Sequence, residues 1–189
     1  MTASLVVLKN YERLNNSMKT NDMRQNLKNL NASMDWVRSI DYTGWNAPYA
    51  VTLNFWNGTE KDDATKDITH FLNRLDAWVF KNAYRKYGKR LRRVGVFEGA
   101  DTNPHYHMLL ESPNHLSDIQ FELLVESLWG SVRSGQTYIW IESTGQRIPI
   151  FTMERVYSEG WLEYIGKLRT KESADDADVM NWYLHPVSC

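Results

Sequence analysis

The stretch Pro104-His105-Tyr106-His107-Met108-Leu109-Leu110 decides how this chain is interpreted, because its pattern predicts a β-strand with two histidines on one face. In a strand, successive side chains point to opposite faces, so His105 and His107 share one face while Tyr106 and Met108 share the other. The backbones of the two histidines lie roughly 6.5–7 Å apart, and their imidazoles can converge on one metal ion. The pattern is equally compatible with a surface strand that carries two unrelated histidines.

A second strand, Arg92 to Glu98, precedes the histidine strand, which is predicted from His105 to Glu111, and the segment from Gly99 to Pro104 forms the turn between them. In such a hairpin the carboxylate of Glu98 can reach the same metal as the two imidazoles. One carboxylate and two imidazoles leave coordination positions open, as a catalytic metal requires, and these donors admit zinc, manganese, iron or nickel. The alternative for Glu98 is an exposed carboxylate at a strand end. Other candidates for the third ligand are Glu154, Glu111 and Asp101.

The remaining elements follow from hydrophobic periodicity and turn residues. The predicted elements are a first strand at Tyr49 to Trp56, a helix over residues 62–87, a second helix from Ser117 to Leu128, strands at Gln136 to Glu142 and Arg147 to Val156, and a third helix over Glu159 to Arg169. This order predicts an α+β fold of the split βαβ type, ferredoxin-like or RRM-like. It predicts a five-stranded antiparallel sheet with helices on one face, which leaves the other face for a site formed by the metal ligands and a tyrosine.

The 189 residues fit one domain with appended segments. Residues 1–45 are predicted to form a helical arm or accessory segment, because Leu27, Leu30, Met34 and Val37 recur at helical spacing. Residues 46–170 are predicted to form the domain that carries the site. Residues 171–189 are predicted to be a C-terminal tail that packs on this domain.

The composition limits the classes of function. A net charge of −1 argues against a globally basic nucleic-acid binder, so affinity for nucleic acid must come from local patches. One such patch places six basic residues within nine positions: Arg85, Lys86, Lys89, Arg90, Arg92 and Arg93. The single cysteine, Cys189, excludes an internal disulfide and a cysteine-based zinc site. No apolar stretch is long enough to span a membrane and no signal peptide is recognised, so a cytoplasmic protein without a membrane partner is expected.

The segment Tyr164-Ile165-Gly166-Lys167 places a phenol and an ammonium three residues apart, on one face of the third predicted helix. Tyrosine can act as a covalent nucleophile. Its ordinary pKa of about 10 makes it weak alone, but a metal that polarises a phosphate offsets this weakness. A lysine nearby can stabilise the charge that develops on the phosphate. The alternative is a core tyrosine beside a lysine whose stem lies along the apolar surface.

Four motifs follow one another in the chain: the apolar strand from Tyr49 to Phe55, then Glu98, then His105-Tyr106-His107, then Tyr164-x-x-Lys167. In this order they resemble the HUH endonuclease superfamily, specifically its rolling-circle replication initiator (Rep) branch with one catalytic tyrosine. The resemblance covers about residues 48–170. It implies that the two histidines and an acidic third ligand hold Mg²⁺ or Mn²⁺ against a scissile phosphate. It also implies that Tyr164 attacks this phosphate in single-stranded DNA at a replication origin, which yields a 5′-phosphotyrosine and a 3′-OH, with Lys167 near the phosphate or the metal.

The chain departs from other branches of that superfamily. Initiators with two catalytic tyrosines place the second within one turn of the first, whereas the nearest tyrosine here, Tyr157, is seven residues upstream of Tyr164. Relaxases carry three metal histidines and a tyrosine near the N-terminus, and this chain has neither arrangement. It contains no Gly-x-x-x-x-Gly-Lys motif of a fused helicase motor. The resemblance implies host helicase and polymerase as further partners.

Contacts to DNA are predicted at two kinds of side chain. Basic residues are expected to bind phosphates and a tryptophan on the third helix to stack on bases: Arg85, Lys89, Arg90, Arg92, Arg93 and Trp161. Three other functions remain open from the residues. They are a single-strand DNA transposase of the same superfamily, a non-catalytic nucleic-acid-binding module on the same kind of sheet, and a metal hydrolase of nucleotides that does not need Tyr164.

Overall fold

In the computed structural model of the protein, the described residues are 25, 28–29, 31–99, 104–157, 160–165, 178 and 181–184. The helices are α1 (residues 31–38), α2 (Lys61–Phe80), α3 (Asn82–Tyr87), α4 (Asp118–Gly130) and α5 (Gly160–Ile165). The strands are β1 (Pro48–Phe55), β2 (Arg93–Glu98), β3 (His105–Glu111), β4 (Gly135–Gln136), β5 (Tyr138–Ile141), β6 (Gln146–Pro149) and β7 (Thr152–Arg155). None of these described helices is long and apolar enough to cross a membrane.

The main sheet is antiparallel, with its strands in the order β2-β3-β1-β4 and with β7 also paired to β1. β3 has the predicted bounds and lies between β1 and β2, which explains why it is buried along almost all of its length. Both of its edges are covered by neighbouring strands, so its backbone groups are hydrogen-bonded on both sides. The predicted α+β fold with a five-stranded antiparallel sheet is confirmed.

The fourth position of the sheet is shared by two short strands, β4 and β7. Both pair with β1, and the residues between them form a separate two-stranded hairpin, β5–β6. The carbonyl oxygen of Thr137 accepts hydrogen bonds from the N–H groups of Ile150 and Phe151, which closes the base of this hairpin. The predicted strands Gln136 to Glu142 and Arg147 to Val156 are therefore each divided between the sheet and the hairpin.

The long helix predicted over residues 62–87 is also divided. α2 ends at Phe80, and Lys81 adopts a φ of +49° before α3 begins. A positive φ cannot continue a right-handed helix, so the chain changes direction at Lys81.

The two faces of the sheet are covered differently. On the first face, α2 and α4 bury an aromatic and aliphatic core that includes Phe55, Phe71 and Trp129. On the second face lies a smaller core of α1, α5 and sheet residues, whose buried members are Met34, Val37, Tyr42, Trp45, Val94, Val96, Leu109 and Leu162. The described part of the predicted N-terminal arm is thus packed on the sheet.

The C-terminal residues cover the outer edge of β2. Tyr183 exchanges backbone hydrogen bonds with Arg93 in both directions, and Trp182 Nε1 donates a 2.8 Å hydrogen bond to the carbonyl oxygen of Gly95. The ring of Trp182 also lies 4.7 Å from that of Trp36 on α1. The tail therefore occupies an edge that would otherwise expose unpaired backbone groups.

Tyr106, between the two histidines, anchors β3 on the first face of the sheet. Its hydroxyl donates a 2.7 Å hydrogen bond to Asp178, and its ring fills the space above Gly95, where a Cβ would lie 2.2 Å from the hydroxyl oxygen. Asn181 Nδ2 donates to both oxygens of Asp178. Burial raises the pKa of Asp178 from its ordinary 3.8 to about 6, against the lowering effect of these hydrogen bonds.

This raised pKa predicts a specific pH dependence of stability. Between about pH 4 and pH 6 the folded protein keeps a proton on Asp178 that the unfolded chain has released, so the free energy of unfolding falls as the pH rises through this range. A difference of about two pKa units corresponds to roughly 3 kcal/mol. We expect Asp178→Asn to remove this part of the pH dependence, measured by urea unfolding at a series of pH values. Parallel pH profiles for the variant and the wild type would contradict this expectation.

Candidate metal centre

Three side chains with metal-binding atoms converge where β2 ends and β3 begins. Glu98 lies directly opposite His105 in the strand pairing, and His107 lies two residues further along β3 on the same face. The Nε2 atoms of His105 and His107 are 3.4 Å and 3.6 Å from the same oxygen, Oε2 of Glu98. The side chains of Glu98 and His107 are only 9% and 10% exposed.

The donors of this metal group (Glu98, His105 and His107) have the spacing of ligands that share one ion. One donor atom from each residue lies within 4.8 Å of the other two. Two donors bound at about 2.1 Å from an ion are about 3 to 4 Å apart, and both Nε2–Oε2 distances fall in this range. The group is nearly buried and could bind a metal ion.

Thr52 of β1 orients the His107 ring from behind. Its hydroxyl lies 3.1 Å from Nδ1 of His107, and the two residues are directly paired across the strands. When Nδ1 carries the proton and donates to Thr52, the lone pair of Nε2 is left for a metal. The sequence interpretation missed Thr52, although a polar residue between the apolar Val51 and Leu53 of β1 marks the face that β1 turns towards the histidines.

Asn54 is the second polar residue on this face of β1. It is paired with His105 on one side and with Gln136 of β4 on the other. Its Nδ2 donates a 2.8 Å hydrogen bond to the carbonyl oxygen of Ile150, at the base of the β5–β6 hairpin. Asn54 therefore ties the hairpin to the row of the sheet that carries His105 and Glu98.

Tyr164, the predicted nucleophile, lies beside the metal group. Its ring centroid is 5.8 Å from that of His107, the two planes are 78° apart, and the side chain is 50% exposed. Leu162 is buried in the second-face core and holds α5 at this place. No family model, curated protein or solved structure matches this chain. The position of Tyr164 is therefore the main structural basis for assigning a function.

Other predicted site residues lie apart from this centre or outside the described residues. Lys167 and Asp101 are outside them, so the role predicted for Lys167 stays a prediction. Glu111 is at the opposite end of β3, where it pairs with Arg92 and accepts a hydrogen bond from the N–H of Asn46. Glu154 is an exposed residue of β7 and is not part of the metal group.

Trp161 lies on α5, three residues before Tyr164. Its side chain is half-buried and packs against the second-face core. Much of its ring is therefore used to hold α5 on the sheet. The base-stacking role predicted for Trp161 stays a prediction, restricted to the exposed part of the ring.

The predicted basic patch is at the far end of the sheet from the metal group. Arg93 begins β2 and Glu98 ends it, a separation of about 17 Å at the usual rise of a strand. Arg93 is buried, and its Nη1 lies 2.8 Å from Asp76. A role for Arg93 in binding DNA does not fit this location, because its guanidinium is already used inside the protein.

Two other arginines of the patch, Arg92 and Arg90, also have protein partners. Arg92 pairs with Glu111 and donates a 2.7 Å hydrogen bond to the carbonyl oxygen of Gly44, while Arg90 lies 3.1 Å from Asp76. Arg85 is exposed and Lys89 is half-exposed. Lys86, the remaining member of the patch, is also exposed, so any phosphate contact from this region would fall on Arg85, Lys86 and Lys89, at a distance from Tyr164.

Proposed function

We propose that this protein nicks and rejoins single-stranded DNA through a covalent bond to Tyr164, as an HUH endonuclease of the single-tyrosine rolling-circle replication initiator type. The observation that supports this most is the 5.8 Å separation between the rings of Tyr164 and His107. A phenol and a group able to hold a cation thus lie side by side. The proposed substrate is DNA at a replication origin, and host helicase and polymerase would use the nicked product.

The proposed cofactor is Mg²⁺ or Mn²⁺, held by Glu98, His105 and His107. A carboxylate suits both ions and the imidazoles favour a transition metal, so Mn²⁺ is the first choice for assays. When bound, the ion would polarise a phosphate oxygen and make the phosphorus more electrophilic. Thr52 would keep the His107 ring in its ligating orientation.

In the proposed reaction Tyr164 Oη forms a bond to the scissile phosphorus, and the bond from phosphorus to the 3′ oxygen breaks. The phenolic proton passes to solvent, and the leaving 3′ oxygen takes up a proton to become a 3′-OH. The 5′ phosphate stays esterified to Tyr164. One phosphodiester is exchanged for another, so the reverse attack by a 3′-OH rejoins DNA without ATP. Lys167 is proposed to stabilise the charge on the phosphate.

The test is an assay for a covalent protein–DNA adduct. The protein is incubated with Mn²⁺ and a random-sequence library of single-stranded DNA, and adducts are detected on a denaturing gel. We expect an adduct with the wild-type protein, none with Tyr164→Phe, and none in the presence of a chelator. Tyr157→Phe is the matched control, because Tyr157 is 87% exposed and should leave the adduct unchanged.

Other outcomes would point to different functions. An adduct that persists in Tyr164→Phe would contradict Tyr164 as the nucleophile. DNA cleavage without an adduct, equal in wild type and Tyr164→Phe, would indicate a metal hydrolase. DNA binding without cleavage or adduct would indicate a non-catalytic binding module.

A further inference from the structure

Arg38, the last residue of α1, lines the cleft in which Tyr164 lies. The other described residues that line this open cleft are Gly160, Glu163 and Tyr164. Among these four described residues, Arg38 carries the positive charge. The Arg38 side chain is 32% exposed. A guanidinium in this position can make two parallel hydrogen bonds to a phosphate, which is the geometry that arginine supplies better than lysine.

Packing holds the helix of Arg38 against the helix of Tyr164. Met34 and Val37 of α1 are fully buried, and they share the second-face core with Leu162 of α5. The same core contains Val96, which is paired with His107 in the sheet. The positions of Arg38, Tyr164 and the metal group are therefore set by one cluster of apolar contacts.

The ion pair that Arg38 makes within α1 is one that a phosphate can replace. Its Nη1 donates a 2.6 Å hydrogen bond to Asp35, one helical turn earlier, and the Asp35 side chain is 72% exposed. An ion pair whose carboxylate is this exposed adds little to stability, because water solvates the carboxylate well. Glu163 also lines the cleft, so a phosphate that enters would compete with carboxylates for the Arg38 guanidinium.

We propose that Arg38 and the cleft beside Tyr164 form a binding subsite for a phosphate of the DNA backbone. The subsite rests on the proposed function, because it is a DNA phosphodiester that Arg38 would hold against the phenol. It also assigns a functional role to a part of residues 31–45, a segment that the resemblance to HUH endonucleases does not cover. Arg38 supplies charge and orientation in this subsite, and no bond to it forms or breaks.

The first measurement is the salt dependence of DNA binding in a Tyr164→Phe background, where no adduct can form. Fluorescence anisotropy with labelled oligothymidylate gives the binding constant at several salt concentrations. Each phosphate contact on a single strand contributes a slope of about 0.7 in log K against log salt. We expect Arg38→Ala to reduce the slope by about 0.7, and Arg38→Lys to retain it. Arg133→Ala, which removes an exposed arginine paired with Asp63, should leave it unchanged.

The second measurement is the rate of adduct formation with Tyr164 present. We expect Arg38→Ala to slow this rate by about 100-fold at saturating DNA, which is typical when one donor to a reacting oxyanion is removed. Arg38→Lys should recover part of the rate. A purely structural role for Arg38 would lower the melting temperature but leave the salt slope intact.

The two proposals fail in different ways. If the wild-type protein forms no adduct, the nicking function is overturned, and the salt slope still decides whether Arg38 binds phosphate. If oligothymidylate does not bind, or if Arg38→Ala has the same slope as its parent, the phosphate subsite is overturned whatever the adduct assay gives.

Discussion

His107→Ala should lose the binding of Mn²⁺, with an affinity lowered by more than about 100-fold. His107 is the most enclosed imidazole of the metal group, and its Nε2 lies 3.6 Å from the Glu98 carboxylate. Losing even an outer partner of a metal ligand typically costs 10- to 100-fold in affinity, so losing the ligand itself should cost more. Isothermal titration calorimetry with Mn²⁺ measures this directly and does not depend on activity.

Two companion variants make this result specific. Thr52→Val removes the hydroxyl beside Nδ1 of His107 and should lower Mn²⁺ affinity by about 10- to 100-fold. His70→Ala removes an exposed histidine of α2, away from the metal group, and should bind Mn²⁺ as the wild type does. Equal affinity in His107→Ala and His70→Ala would show that Glu98, His105 and His107 do not form the metal site.

Asp76→Ala should destabilise the protein by about 3–5 kcal/mol, the usual cost of leaving a buried charge without its partner. The Asp76 side chain is fully buried and lies 2.8 Å from Nη1 of Arg93, which is itself buried. It also accepts a 2.9 Å hydrogen bond from the N–H of Leu91. Its loss therefore leaves a buried guanidinium without its carboxylate and the N–H of Leu91 without its acceptor. Urea unfolding followed by circular dichroism measures the change.

Asp63→Ala is the matched control for Asp76→Ala, because both carboxylates lie on α2 and both pair with arginine. The Asp63 side chain is 41% exposed, and its partners Lys66 and Arg133 are at the surface. Such exposed pairs contribute little to stability, because solvent screens both charges. If the two variants lost similar amounts of stability, the buried pair of Asp76 and Arg93 would not stabilise the packing of β2 on α2 more than a surface pair does.

The histidine strand was predictable because its signal is local. Residues 105–111 begin with the alternation His105-Tyr106-His107 and continue as an apolar run, with a turn before them and Pro113 after them, and the observed strand has the predicted bounds. The same alternation placed His105 and His107 on one face, and the short connection from Glu98 placed the carboxylate opposite His105. Both inferences depend only on the period of a strand and the length of one turn.

The division of the fourth strand was not predictable in the same way. Residues 138–141 have β-forming side chains and residues 152–155 begin with one, Thr152, but local propensity does not reveal which sheet a strand joins. That choice depends on the pairing of Asn54 with Gln136 and of Thr52 with Thr152, which leaves the intervening hairpin outside the main sheet. Pairing partners that are distant in sequence therefore decide which of these strands join the main sheet.

The basic patch shows the same limit for charges. Arg92 and Arg93 look alike in the sequence as members of one cluster, yet each is paired with a carboxylate from a different element, Glu111 of β3 and Asp76 of α2. A sequence displays charge but not the partner that neutralises it. Burial of such a pair is possible only when the two elements pack together.

The residues themselves set the chemistry available to this protein: two imidazoles and a carboxylate at strand spacing, and a tyrosine on a later helix. Their convergence was set by tertiary structure, because β3 had to pair with both β1 and β2, and α5 had to pack on the second face through Leu162. Tertiary packing also brought Thr52 beside His107 and Arg38 into the cleft of Tyr164. Side-chain type is a local property, whereas proximity between distant residues follows from the burial of apolar surface, which only the complete fold achieves.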